Sequence, residues 1–155
     1  MTLRRLAGNA WKMKTIFNNE AQIIRIGEGL AACSLPRAEW THGAHFAAAL
    51  WLMRYRPDLD AARAMPGLIR AYNESVGRVN DDSGGYHESI TRLYVYGIAA
   101  FRLRQPAASF EDGLESLLNS PMSSSSWPLQ FYSRERLFCV EARRCWVEPD
   151  LPSSG

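Results

Sequence analysis

The chain has 155 residues, 46% hydrophobic and 11% aromatic, and 18 basic and 16 acidic side chains give it a formal charge of +2. This length suits a single domain that buries one hydrophobic core. The balanced charge creates no long-range field that would attract nucleic acid, and no apolar run reaches the ~18 residues of a membrane span. We therefore expect neither nucleic acid nor a membrane as a partner.

Apolar residues recur at helical spacing, and prolines and glycines separate the segments. Residues 1–18 lack a clear period, which predicts a flexible N-terminal arm, and residues 19–155 are predicted to form a single helical domain. No strand alternation is present. The predicted helices cover residues 19–32, 38–55, 59–76, 86–104 and 109–118, and further short helical segments begin at 127 and 140. The sequence thus predicts an all-α fold, a single-domain bundle of about five to seven helices.

Particular residues mark the ends of these helices. Asn19 and Ser109 are predicted N-caps, and Gly77 is predicted to stop the third helix. Pro66 is predicted to bend or break that helix, because proline lacks the N–H that the ladder needs. The serine-rich residues 119–126 are predicted to form a flexible loop.

Cys33, Cys139 and Cys145 have no metal-like spacing. Three scattered thiols are typical of reduced cysteines in the cytosol. No apolar run follows the basic N-terminal residues, so we predict no signal peptide and a cytoplasmic location. A catalytic cysteine is the less favoured alternative, since no cysteine neighbours a histidine in sequence.

All three histidines of the chain lie in two short segments. His42 and His45 belong to Glu39-Trp-Thr-His-Gly-Ala-His45, and His87 belongs to Gly85-Tyr-His-Glu-Ser-Ile-Thr91. Both segments are predicted helix beginnings, and both surround imidazole with apolar residues, where a polar ring needs a partner.

Helical geometry predicts that these side chains converge. At about 100° per residue, Glu39, His42 and His45 share one face of the second predicted helix over two turns. His87 lies on the core-facing stripe of the fourth. We therefore expect His42 and His87 to face each other across the contact between these helices.

The Glu39-x-x-His42 spacing occurs in carboxylate-bridged metal proteins built on helix bundles. It favours one divalent transition metal (zinc, iron, nickel or copper), bound by His42, His45 and His87 or by two histidines and a carboxylate. Glu39 is then a ligand or the general base of catalysis.

Further residues are predicted around this site. Glu88 and Thr91 would support the ligands from behind, and Thr91 would orient the ring of His87. Tyr72, Asn73 and Tyr86 would line the mouth of a pocket, although helix caps and core packing explain them equally well.

Two classes of function remain open. The first is a metal-dependent enzyme that acts on a small molecule. The alternative is a non-catalytic module that binds a small ligand or another protein, because a histidine on an apolar helical face is more often a core residue bonded to a carbonyl or carboxylate. Metal-free acid–base chemistry or ligand recognition lies between them.

The two histidine motifs resemble those of a family of small bacterial all-helical proteins of unknown function. The similarity covers about residues 20–152 and includes Tyr132-Ser-Arg-Glu-Arg-Leu137 and Trp146-Val-Glu-Pro-Asp-Leu151. It implies a compact helical domain in which both histidine motifs belong to one site, and it implies no activity. The chain departs from that pattern at Cys139-Val140, where a Ser-Pro helix start is expected.

Overall fold

A computed structural model describes residues 19–152, to which all structural statements below refer. The predicted arm (1–18) and residues 153–155 lie outside the described residues. The described chain contains seven α-helices, three short 3₁₀ turns and no strand. The prediction of an all-α bundle of five to seven helices is confirmed. No helix in the described range is both long and apolar enough to cross a membrane.

The helices are short to medium in length. The α-helices are α1 (Glu20–Ala31), α2 (His42–Tyr55), α3 (Ala61–Ser75), α4 (Glu88–Arg104), α5 (Phe110–Leu118), α6 (Arg134–Leu137) and α7 (Val140–Arg144). The 3₁₀ turns are Arg37–Glu39, Pro121–Ser123 and Trp127–Gln130.

Local capping accounts for several helix boundaries. Asn19 accepts a hydrogen bond from the Gln22 amide at 3.0 Å, and Ser109 accepts one from the Asp112 amide at 3.1 Å. Gly77 follows α3 with a φ of +77°, a conformation that glycine adopts without strain. These predicted ends depend on neighbouring residues only, and the structure confirms them.

The predicted start of the second helix was wrong. Residues 37–39 form a separate 3₁₀ turn, and α2 begins only at His42. Thr41 is the N-cap, with its hydroxyl oxygen accepting from the Ala44 amide at 3.2 Å. Glu39 therefore does not lie on α2 and does not share a helical face with His42.

Two other expectations need adjustment. α3 is not broken at Pro66 but continues from Ala61 to Ser75. Met65 and Ile69 on either side are buried, so core packing offsets the lost backbone hydrogen bond. The serine-rich segment predicted as a loop contains the turn Pro121–Ser123, and Met122 of this turn is buried.

The main hydrophobic core lies between the first five helices, with α2 at its centre. Every residue of α2 from position 43 to 52 is buried except His45. Trp51 packs so closely against α1 that a Cβ atom at Gly27 would overlap its indole ring. An apolar helix without a polar face is the type that a bundle places in its interior.

A second, smaller hydrophobic cluster packs the C-terminal segment (residues 132–147) against α4. It is formed by Leu93, Tyr132, Leu137, Ala142 and Val147. The hydroxyl of Ser89, in the first turn of α4, donates to the Cys145 carbonyl at 2.9 Å and accepts from the Val147 amide at 3.1 Å. The C-terminal segment is thereby held beside His87, which precedes this turn.

Cys139 takes the place of the serine expected at the start of α7. Its sulfur accepts from the Ala142 amide at 3.4 Å, the bond that a serine hydroxyl would make at an N-cap. The helix therefore forms in spite of the substitution.

Candidate functional site

All three histidines line one cavity of about 310 Å³, which lies between α2, α3, α4 and the C-terminal segment. Apolar and aromatic side chains, among them Phe46, Ile69 and Ile98, make up much of its wall. The polar and charged side chains that line it are His42, His45, Asn73, Arg78, Tyr86, His87, Thr91, Tyr94 and Arg143.

His87 is the N-cap of α4, and both of its ring nitrogens are engaged. Nδ1 accepts from the Ile90 amide at 3.2 Å, so the proton lies on Nε2, which donates to the Leu137 carbonyl at 2.8 Å. The residue is only 7% exposed. Burial lowers the pKa of His87, and the positive charge of Arg143 lowers it further. A neutral ring in this tautomer has no lone pair left for a metal.

His45 is fixed by its own helix and by a neighbouring aromatic ring. Nδ1 donates to the Thr41 carbonyl at 2.7 Å, and the imidazole stacks on Trp40 with ring centroids 3.9 Å apart. His45 is half-buried, and the loss of water around its ring is the main cause that lowers its pKa to about 4; the charge of Arg78 lowers it further. The ring is neutral at pH 7, and its Nε2 is a hydrogen-bond acceptor.

His42 has an unsatisfied nitrogen. Its ring packs edge-on against Phe46 and Tyr94, with centroid separations of 5.0 and 5.5 Å. Nε2 is buried and has no hydrogen-bond partner among the described residues. Burial lowers the pKa of His42, although nearby carbonyls of residues 122 and 123 oppose the shift.

Asn73 presents a second unsatisfied atom. Asn80 accepts from the Tyr86 amide at 3.0 Å and donates to the Arg70 carbonyl at 3.2 Å, which fixes the orientation of the Asn80 amide. The nitrogen of Asn73 must therefore face Asn80 Oδ1, at 2.9 Å. Its own Oδ1 is buried and has no partner among the described residues, and the residue is 2% exposed.

Glu39, predicted as a ligand or catalytic base, does not line the cavity. Its carboxylate forms two hydrogen bonds with the Arg25 guanidinium, at 2.5 and 2.8 Å, near the surface. This interaction holds the pKa of Glu39 below its ordinary value. The displacement follows from the break before α2, which separates Glu39 from the helix that carries His42 and His45.

The other predicted site residues divide into two groups. Asn73, Tyr86 and Thr91 line the cavity with the histidines. Tyr72 does not: it is fully buried, and its hydroxyl donates to the Leu35 carbonyl at 3.0 Å. Glu88 also lies outside the lining; it accepts from the Tyr86 hydroxyl at 2.5 Å and lies 3.9 Å from Arg92, one helical turn further along α4.

Two arginines and an aromatic ring were missed by sequence reasoning. Arg78 follows the stop of α3, and nothing in its sequence context pointed to a site. Arg143 lies in the short helix α7, and no role was predicted for it. Trp40 lies inside the first histidine motif, and its stacking on His45 depends on the bend before Thr41.

A larger groove of about 850 Å³ lies elsewhere, between Leu59, Tyr96 and Leu103 among others. It is more open to solvent and contains neither a histidine nor either of the two buried unsatisfied atoms. The histidine cavity is therefore the better candidate for chemistry, although it is smaller.

Within residues 19–152, no group of three or more histidine, cysteine, aspartate or glutamate side chains is arranged to hold a metal ion. His87 has no free lone pair, and Glu39 lies outside the cavity. His42 and His45 are the remaining imidazoles of the predicted ligand set.

Comparison of the chain with protein-family models, curated proteins and solved structures finds no significant match. The resemblance to the bacterial helical family stays a prediction. The function proposed below depends on the geometry of the cavity.

Proposed function

We propose that the chain binds a small organic molecule in the histidine cavity. The observation that carries this proposal is that one cavity is lined by His42 and Asn73, the two residues of the described chain whose side chains contain a buried polar atom without a partner, Nε2 and Oδ1. A buried polar atom without a hydrogen bond costs about 1–3 kcal/mol, which a bound ligand would recover. The volume of about 310 Å³ lies at the lower end of the range of roughly 300–1,000 Å³ for small-molecule sites.

The lining indicates which groups such a ligand carries. Asn73 Oδ1 and His45 Nε2 are acceptors, so the ligand needs a hydrogen-bond donor. Phe46, Ile69 and Ile98 offer an apolar wall. A compact molecule with an apolar body and at least one hydroxyl or N–H group fits both requirements.

The proton affinities of the histidines favour binding over proton transfer. An efficient general base has a pKa near the working pH, and a pKa of about 4 makes His45 a weak base. His87 uses both nitrogens within the fold. His42 alone keeps the features of a base, so the predicted enzyme activity depends on its buried Nε2.

The predicted mononuclear metal site fits the residues poorly. A catalytic zinc site needs three protein ligands, and His42 and His45 are two. We therefore assign no chemistry to a metal. Stoichiometric metal binding stays a separate prediction, with zinc, iron, nickel and copper as the ions to test.

The setting that we propose is the cytoplasm. Cys33, Cys139 and Cys145 are all free thiols, as is typical of proteins in a reducing compartment. We do not propose nucleic acid as a partner, because the charge is balanced.

The three histidines make nuclear magnetic resonance a direct test. Ring signals of the wild-type chain, prepared without a histidine tag, are followed while a library of small organic fragments is added. Bound fragments should shift the ring signals of His42 and His45. The same fragments should not bind His42→Phe, which keeps a ring but removes Nε2. They should bind Glu39→Gln as they bind the wild type.

Two results would overturn the proposal. One is that no fragment shifts the histidine signals; the other is that the fragments bind His42→Phe as well as the wild type. A parallel titration of chelator-treated protein with Zn²⁺ tests the metal hypothesis. If Zn²⁺ binds the wild type in equimolar amount and does not bind His42→Phe, a metal and not an organic molecule is the ligand of the cavity.

A further inference from the structure

All charged side chains that line the histidine cavity are positive. Arg78 and Arg143 are its two charged residues, and no aspartate or glutamate of the described chain belongs to the lining. Arg78 is exposed and Arg143 is half-buried, so both mark the region where the cavity meets solvent. The neutral histidines behind them add no compensating charge.

Arg78 has no carboxylate within ion-pair distance in the described part of the chain. Its charge nevertheless reaches into the cavity, because it contributes to the lowered pKa of His45. Its guanidinium is thus available to a group that enters from solvent.

Arg143 is oriented by the backbone rather than by an acid. Its Nη1 donates to the carbonyls of Gly85 and Tyr86, at 3.4 and 3.2 Å. A guanidinium has five N–H donors, so other donors remain for a ligand.

The nearby acidic loop forms no direct ion pair with Arg143 among the described residues, although the charge of Arg143 lowers the pKa of both Asp81 and Asp82. The Asp82 carboxylate forms two hydrogen bonds with Arg144, at 2.7 and 2.6 Å. Asp81 accepts from the hydroxyl and amide of Ser83, at 2.8 Å each, and from the Gly84 amide. Both acids of the loop are therefore engaged with other partners.

We infer that the ligand of the histidine cavity is a small organic carboxylate with a hydroxyl or N–H group on an otherwise apolar body. Its anionic group contacts Arg78 and Arg143, and its body lies against Phe46 and Ile69. This inference rests on the proposed function. Guanidinium groups bind carboxylates through charge-assisted hydrogen bonds, often in pairs. The small volume and the apolar inner wall fit a monoanion with one charged end.

The test uses matched pairs of probes, an anionic carboxylate and its neutral amide of nearly the same size and shape. A panel of small aromatic and aliphatic hydroxycarboxylates, including 4-hydroxyphenylacetate and 6-hydroxyhexanoate, is compared with the corresponding amides by calorimetry and by the histidine ring signals. The variants are Arg78→Gln and the control Arg63→Gln, which removes an exposed arginine outside the cavity. Among the described residues the side chain of Arg78 makes no hydrogen bond, and its backbone amide, which donates to the Asn73 carbonyl at 2.8 Å, is kept in the variant, so the replacement should not unfold the chain.

We expect the carboxylates to bind the wild type about tenfold more tightly than the amides. Arg78→Gln should weaken carboxylate binding about fivefold, the effect of a charge-assisted contact that is partly screened by water. Amide binding and the Arg63→Gln variant should show no change. Carboxylate binding should also raise the pKa of His45, since a nearby anion stabilises the imidazolium.

The failures are distinguishable. If amides bind as tightly as carboxylates and both shift the histidine signals, the anionic ligand is refuted and the cavity is still a binding site. If Arg63→Gln weakens carboxylate binding as much as Arg78→Gln, the effect is a general charge effect and the inference is equally refuted. If neither probe class shifts the histidine signals, the proposed function fails together with it.

Discussion

Replacement of His87 by alanine should destabilise the fold through two separate hydrogen bonds. The first is the N-cap bond from the Ile90 amide to Nδ1, and its loss costs about 1 kcal/mol. The second is the bond from Nε2 to the Leu137 carbonyl, which is buried. A buried carbonyl without a donor costs a further ~1–3 kcal/mol. His87→Ala should therefore lower the free energy of unfolding by about 2–4 kcal/mol.

Two matched variants separate these contributions. Ser109→Ala removes a solvent-exposed N-cap alone and should cost about 1 kcal/mol. His87→Asn keeps a capping side chain but is too short to reach Leu137, so it should recover about 1 kcal/mol relative to His87→Ala. Urea denaturation followed by circular dichroism measures all three. In a thermal melt, the His87→Ala loss corresponds to a decrease in Tm of roughly 6–15 °C.

The reasoning would be refuted by a His87→Ala variant no less stable than Ser109→Ala, since the bond to Leu137 would then contribute nothing. Each melt is repeated with a strong chelator. A chelator that destabilises the wild type to the level of His87→Ala would show that His87 is a metal ligand and not a structural cap.

Three further predictions concern pH, one glycine and one ion pair. His45 has a pKa of about 4 in the folded chain and about 6.5 in the unfolded chain. The neutral ring therefore contributes up to about 3 kcal/mol to the free energy of unfolding; this contribution is complete above pH 6.5 and is lost as the pH falls toward 4. Denaturation at a series of pH values should show a smaller change in the free energy of unfolding for His45→Asn than for the wild type. Gly85→Ala should lower the free energy of unfolding by more than about 2 kcal/mol, because the φ of Gly85 is +78° and a Cβ would lie 2.7 Å from Asn80 Oδ1. A Cβ at Gly84 would meet open space, so Gly84→Ala should be near neutral in the same assay. Glu39→Gln should change stability by less than about 1 kcal/mol, as for an exposed ion pair; a large loss of stability would contradict its surface position.

Local residue patterns were enough to predict most of the helical framework. Caps such as Asn19 and Ser109 act on amides two or three residues away, and Gly77 acts on its own backbone angle, so neighbouring sequence contains the cause. The sequence of α2 is apolar nearly throughout, which is typical of a helix that is buried on all sides, and α2 is the central helix of the core. The predicted start of α2 was wrong because apolar periodicity does not locate the residue that caps a helix, and the cap is Thr41.

The partners of the site side chains were decided by tertiary structure. Periodicity placed His87 toward the core, but the Leu137 carbonyl that fixes its tautomer lies 50 positions away in the chain. Glu39 forms hydrogen bonds with Arg25 of α1. Arg143 lines the cavity because the C-terminal segment packs against α4. Helical periodicity specifies the direction of a side chain relative to its own axis. Only the packing of separate helices brings a donor to an acceptor, and that packing also leaves His42 Nε2 without a partner among residues 19–152.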